Sequence, residues 1–179
     1  TIDQNLRRTV EKFPHKDALI SIHQNYRVTY TEFYEQVTAV AKGLIALGAK
    51  PGDRVGIWSP NCYEWTLLQY ATAKIGVIMV NINPAYRTSE LIYVINQSGI
   101  SFIFAAPAAT YVGYLIGNKV GFWDAAPEFK SSNYKKMIDD AREFTETLRK
   151  EVYWGDSWER FLENGKKVTD EKLLSFEEK

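Results

Sequence analysis

Two short runs hold the residue types from which a binding site can be built. Asn83-Pro84-Ala85-Tyr86-Arg87 follows an apolar run, Val77 to Ile82, and leads into Thr88-Ser89-Glu90-Leu91. A loop between a buried strand and a helix start turns backbone N–H groups outward. An arginine beside them adds a forked donor, so the pair suits an anion such as a phosphate. The plainer account of the same residues is a strand-to-helix connection carrying a solvated arginine. Ser59-Pro60-Asn61 is the second run, and there both polar residues serve equally well as helix caps.

Other chemistries lack their parts. The chain has two histidines, His15 and His23, and one cysteine, Cys62. No metal site is therefore expected. A serine nucleophile on a strained Gly-x-Ser-x-Gly turn is missing. Gly113 to Lys119 imitates a nucleotide-binding loop, but the glycine spacing is too short and Val120 stands where Ser or Thr is needed. A flexible loop accounts for it better. No catalytic residue is assigned.

Composition narrows the class. With 179 residues, 45% of them hydrophobic and 25% charged, the chain has the make-up of an ordinary globular domain. Lys plus Arg (22) balances Asp plus Glu (22), so no basic footprint for nucleic acid is present. A lone cysteine excludes an intrachain disulfide and points to a reducing compartment, cytosol or mitochondrial matrix. The chain opens on Thr1, and no basic region leads into an apolar core, so no secretory leader is expected. Leu91 to Asn118 carries no charge and is long enough for a membrane span. Its Asn96, Gln97, Ser98, Ser101 and Pro107 argue instead for a helix followed by a strand, so no transmembrane span is expected.

The elements that must position the two runs can be read from periodicity. Ile2, Leu6, Val10 and Phe13 have helical spacing, and Pro14 ends that helix. Two short strands around Gln24-Asn25 suggest a hairpin, with Asn25 able to take a positive φ. Phe33, Val37, Val40, Ala41, Leu44 and Leu47 form one helical stripe, with Thr31 as expected N-cap and Gly48 as stop. Val55 to Trp58 reads as a strand, followed by a helix capped by Ser59 or Asn61. Val77 to Val80 reads as a strand covered on both faces. Thr88 or Ser89 caps the next helix, and Ser101 to Ala105 is another buried strand. This alternation predicts an α/β fold: a three-layer, doubly wound, mostly parallel sheet with a small N-terminal hairpin. Ligand loops in such sheets lie at the carboxyl ends of the strands.

Residues 108–127 lose any period, and Ala-Ala-Pro at Ala105 to Pro107 returns at Ala125 to Pro127. The segment reads as a loop insertion. A helical stripe then resumes through Tyr134, Met137, Ile138, Ala141, Phe144 and Leu148. Ser157 and Thr169 look like caps of two short helices separated by Asn164-Gly165.

Taken in order, Val28-Thr29-Tyr30-Thr31-Glu32-Phe33, Gly52-Asp53-Arg54-Val55, Pro60-Asn61, Ala71-Thr72-Ala73-Lys74-Ile75-Gly76 and Val80-Asn81-Ile82-Asn83-Pro84 resemble the AMP-forming acyl-CoA synthetases. The wording from Asn83 to Leu91 is most similar to fatty-acid members. The resemblance covers residues 1–106 closely and resumes from about Pro127. It implies that residues 1–179 are a partial N-terminal α/β domain, the first subdomain of an adenylate-forming enzyme's N-terminal domain. The parent would be an ATP-dependent fatty-acid–CoA ligase using ATP, Mg²⁺ and CoA, with a fatty acid as substrate. The family's Ser/Thr/Gly-rich phosphate loop and C-terminal domain are absent from this sequence, so the chain by itself is expected to be inactive. The resemblance also implies Arg87 as a contact for the CoA phosphates. A sheet lacking its companion layers would expose apolar surface and self-associate. The rival expectation is a non-catalytic α/β module that binds a ligand or partner.

Overall fold

Alternating apolar runs and amphipathic stretches leave the middle of the chain little choice but to wind strand against helix. In the computed structural model, residues 1–107, 114–116, 119–121 and 132–177 are described. In chain order the elements are α1 (Ile2–Lys12), β1 (Asp17–Ser21), β2 (Tyr26–Thr29), α2 (Tyr30–Leu47), β3 (Arg54–Trp58), α3 (Tyr63–Lys74), β4 (Ile78–Asn81) and α4 (Thr88–Ser98). They continue with β5 (Ile100–Ala105), β6 (Tyr114–Ile116), β7 (Lys119–Gly121), α5 (Tyr134–Ala141), β8 (Lys150–Tyr153), α6 (Asp156–Gly165) and α7 (Asp170–Glu177). Two compact units result: Thr1–Gly52 with Cys62–Ile78 and Arg160–Lys179, and Asp53–Asn61 with Met79–Glu159.

The first unit is helical with one hairpin. Strands β1 and β2 pair antiparallel, and Asn25 between them has φ +48°, as its short polar side chain allows. Helices α1, α2 and α3 pack together, and the hairpin lies on α2 and α3. Helix α2 buries Phe33, Val37, Val40, Ala41 and Leu44 of the stripe read from the sequence, leaves its last member Leu47 half-buried, and ends at Gly48 with φ +99°. Its cap is Thr29 rather than Thr31. Thr29 Oγ1 accepts from the Glu32 N–H and Glu32 Oε2 accepts from the Thr29 N–H at 2.7 Å, a reciprocal capping box. Thr31 Oγ1 donates to the Pro14 carbonyl instead, at 3.1 Å, tying the helix start to the turn after α1.

The backbones of α2 and α6 meet at two glycines. A methyl on Gly43 would stand 2.5 Å from Phe161 Cζ, and one on Gly165 would stand 2.7 Å from the Gly43 nitrogen. Gly165 thus serves close approach, beyond ending its helix as the sequence suggested.

The second unit holds a four-stranded sheet in the order β4-β3-β5-β8, with β3/β5 and β5/β8 parallel. The α/β class, the mostly parallel sheet and the N-terminal hairpin expected from the sequence are what the chain adopts. Winding runs from β3 outward to β4, then returns past β3 to β5 and β8, the reversal that defines a doubly wound sheet. Strand β5 is central and apolar, with Ile100, Phe102, Ile103, Phe104 and Ala105 buried. Helices α4 and α5 pack on each other. Helix α4 presents Leu91 and Ile95 inward and stops at Gly99 with φ +67°.

Three expectations are corrected here. Strand β4 is not covered on both faces: it is an edge strand, and Ile78 is 48% exposed. The helical stripe drawn through Leu148 breaks at Ala141, passes through a 3₁₀ turn at Arg142–Phe144, and gives way to β8. Phe144, placed in that stripe, is exposed. Helix α3 starts at Tyr63, so neither Ser59 nor Asn61 caps it. The Tyr63 N–H donates to Gln24 Oε1 at 2.7 Å, a partner supplied by the hairpin turn. Of residues 108–127, read as a loop insertion, only β6 and β7 are described; they pair as a small antiparallel ladder, and the remainder lies outside the described residues.

Candidate functional site at the carboxyl edge of the sheet

The reversal of winding between β3 and β5 marks where an open α/β sheet receives a ligand, just beyond the carboxyl ends of those two strands. Trp58 ends β3 and Ala105 ends β5, and the Ala106 N–H donates to the Trp58 carbonyl at 3.3 Å. Around this point the edge is aromatic. The Trp58 ring meets Tyr134 edge-on at 4.6 Å, and Trp154 meets Trp158 edge-on at 5.2 Å. Trp58 and Tyr134 are wholly buried, so each polar tip needs a partner. Trp58 Nε1 donates to the Asn83 carbonyl at 3.0 Å, and the Tyr134 hydroxyl donates to the Pro84 carbonyl at 3.1 Å.

The loop after β4 is therefore tied down residue by residue. Asn83 Oδ1 accepts from the Ala85 N–H at 2.9 Å, and the Tyr86 N–H donates to the Asn83 carbonyl at 3.0 Å. These bonds make a tight turn of the kind asparagine favours. Arg87 follows as the N-cap residue of α4, in extended backbone, and its N–H donates to Glu90 Oε2 at 3.0 Å. That bond, rather than a Thr88 or Ser89 hydroxyl, begins the helix, and Glu90's own N–H together with the Arg87 N–H holds the Glu90 carboxyl below the usual carboxylate range. The Arg87 side chain is exposed, and its Nη1 donates to the buried Ser132 Oγ at 2.8 Å.

The two runs read from the sequence fare differently. Asn83 to Arg87 forms an ordered loop with a cation at its end. Ser59 turns inward: it is fully buried, its Oγ donates to the Pro60 carbonyl at 2.8 Å and accepts from Trp154 Nε1 at 3.0 Å. It joins β3 to the residue after β8 and is no cap. Ser132, Tyr134 and Trp154 were not read as parts of a site. Tyr134 carries the period of a helical stripe, and nothing local to Ser132 or Trp154 sets either apart.

The edge suits binding better than proton transfer. Burial pushes the Tyr134 hydroxyl up to about 12, with the charge of Arg87 working against that rise. Burial likewise drives Tyr153, at the end of β8, well above the usual phenol range, and its hydroxyl is buried without a hydrogen-bond partner among the described residues. Neither phenol ionises near neutral pH. Among the described residues no group of three or more His, Cys, Asp or Glu side chains is placed to hold a metal ion. No described helix is long and apolar enough to cross a membrane.

A family model described as AMP-binding enzyme matches residues 6–171. The chain belongs to the AMP-binding enzyme family. It is 46% identical over 97 residues to the medium-chain acyl-CoA ligase ACSF2, mitochondrial, of Danio rerio, covering 54% of this chain and 16% of that protein. The human protein of the same name is 42% identical over 99 residues, again 16% of its length. The putative acyl-CoA synthetase YngI of Bacillus subtilis is 30% identical across 97% of this chain and 32% of its own. Among solved structures, a Mycobacterium tuberculosis fatty acyl CoA synthetase superposes with a TM-score of 0.71 at 24% identity, covering 90% of this chain and 28% of that one. The N-terminal domain of FACL13 from the same organism gives 0.71 at 23%, over 90% of this chain and 36% of that one. At these identities the superpositions show a shared fold. The chain spans about a sixth to a third of the relatives it matches in sequence. Within the AMP-binding enzyme family, then, this chain contributes an α/β layer whose carboxyl edge carries an aromatic wall and one anchored arginine.

Proposed function

We propose that this chain is the N-terminal portion of an ATP-dependent fatty-acid–CoA ligase, which joins a carboxylic acid to CoA by way of an acyl-adenylate. The match of residues 6–171 to the AMP-binding enzyme model carries this reading, and the names of the relatives, medium-chain acyl-CoA ligase and acyl-CoA synthetase, support the acid and the thiol acceptor. ATP with Mg²⁺ supplies the activating chemistry and CoA the accepting thiol. The residues described here bind and orient; none of them is assigned a proton transfer. Arg87 is the group to hold a CoA phosphate, because its guanidinium is exposed at the N-terminus of an eleven-residue helix, where backbone N–H groups and the dipole also favour an anion. By itself the 179-residue chain does not catalyse. Of the two compartments open to it, cytosol and mitochondrial matrix, the mitochondrial label on the relatives supports the second.

The test is ATP–pyrophosphate exchange with a panel of fatty acids, run on this chain and on its reading frame extended downstream. The extended protein should exchange with medium-chain acids and the 179-residue chain should not. An extended protein that exchanges with no acid on the panel would remove the ligase reading and leave a binding module.

A further inference from the structure

Building on the phosphate role proposed for Arg87, we infer that Ser132 is the positioning residue that aims the Arg87 guanidinium. The loop from Asn83 to Arg87 is already held without it. Trp58 Nε1 holds the Asn83 carbonyl, the Tyr134 hydroxyl holds the Pro84 carbonyl, and Glu90 holds the Arg87 N–H. With the backbone fixed by those three bonds, the contact from Nη1 to Ser132 Oγ at 2.8 Å adds little to the path of the loop. What it sets is the direction of the side chain.

Ser132 is well suited to that task. It is 2% exposed, so its hydroxyl cannot wander into solvent. It directly precedes Asn133, whose Oδ1 caps α5 through the Lys136 N–H at 2.9 Å, and Tyr134, packed on Trp58. The seat is rigid on one side while the arginine is exposed on the other. A guanidinium has five N–H donors, and this contact engages one nitrogen, so its remaining donors stay available for a phosphate monoester. Holding a long side chain in its binding pose before the ligand arrives removes an ordering cost from association.

The probe is adenosine 3′,5′-bisphosphate, titrated into the 179-residue chain and followed by NMR. Ser132→Ala should weaken binding about three- to ten-fold, the range for one lost hydrogen bond. Ser132→Thr, which keeps the hydroxyl, should restore it, and Ser132→Ala should have no further effect on an Arg87→Gln chain. Unchanged affinity in Ser132→Ala, or the same loss with and without Arg87, overturns the inference. If Arg87→Gln alone binds as well as the parent, the phosphate reading fails, and the aiming role is then read from the Arg87 side-chain N–H signals. Slowed exchange in the parent that is lost in Ser132→Ala keeps the role; identical exchange in both removes it.

Discussion

Lys74 Nζ lies 2.9 Å from Asp3 Oδ1, although 71 positions separate the two residues in the chain. The ammonium also meets Glu177 Oε1 and the Tyr34 hydroxyl, each at 2.8 Å, while Arg7 bonds to both Asp3 and Glu177. Four helices, α1, α2, α3 and α7, thus share one buried cation. They border a cleft lined by Thr1, Arg7, Ala73, Leu174 and Phe176 among others.

Removing that cation should be expensive. Lys74→Met leaves the Asp3 and Glu177 carboxylates with Arg7 as their remaining shared cation, so the loss should stay below the about 3–5 kcal/mol of a fully broken buried ion pair. Burial pulls the ammonium down, but the hydrogen bonds it donates to Glu177, Tyr34 and Asp3 outweigh it, so its pKa ends above the ordinary lysine value. A raised folded-state pKa contributes stability that is complete below the unfolded value, about 10.4, and is lost as pH rises through the folded one. Denaturant melts of parent and Lys74→Met should differ by a constant amount from pH 7 to about pH 10, and the gap should narrow only above that. A gap already closing near neutrality would contradict this account.

Glu64 behaves in the opposite sense. It is fully buried near the start of α3, with Oε2 accepting from Gln24 Nε2 at 3.0 Å and Oε1 without a hydrogen-bond partner among the described residues. Burial raises its pKa, opposed by the bond from Gln24. For a carboxyl with a raised folded pKa, stability is greatest below the unfolded value, about 4.3, and falls as pH climbs toward the folded one. Glu64→Gln should therefore raise the melting temperature at pH 7 and confer no advantage below about pH 4. Equal stabilisation at both pH values would point to packing rather than ionisation.

The crossing of α2 and α6 tolerates no added carbon. Gly43→Ala drives a methyl into the Phe161 ring, with an overpacking cost of about 1–3 kcal/mol. Phe161→Leu in the same chain should recover part of it, because the ring is the obstacle. Gly165→Ala meets the Gly43 backbone instead, at 2.7 Å, and should not be rescued by that change. Urea midpoints of the two single and two double variants decide the matter.

Thr29 and Thr31 exchange the roles their sequence positions suggest. Thr29→Ala should lose about 1 kcal/mol, the ordinary value of an N-cap. Thr31→Val keeps its shape and loses only the bond to Pro14, so helix α2 should stay capped. The Glu32 carboxyl is held below its usual range by the Thr29 N–H, and its contribution should fade as pH falls. Amide exchange at Glu32 separates the cases: protection drops in Thr29→Ala and persists in Thr31→Val.

Much of the site's framework was legible from spacing and composition. The loop from Asn83 to Arg87 was legible because a continuous apolar run before it and a helical period after it leave a short polar segment no other place. Ser59 was misread because a serine after a strand has the same local appearance as a cap and as a buried tie. What separates the two is Trp154 Nε1, 95 positions away. Strand β8 was missed because Lys150 and Glu151 dilute its apolar signal, and it is the ladder with β5 that makes it a strand. The covered strand expected at β4 failed for a related reason: an apolar run reports its own composition, not whether a neighbour exists on its far side.

As far as β5, the sequence by itself determined the period of each element, the glycine and the asparagine that must turn left-handed, and the order of strand and helix. All of these depend on contacts within a few residues. Strand order, the burial of Glu64 and Lys74, the inward turn of Ser59 and the seat of Arg87 on Ser132 were decided only by tertiary structure. Each pairs groups tens of residues apart, and no local pattern records a partner that folding alone brings within 3 Å.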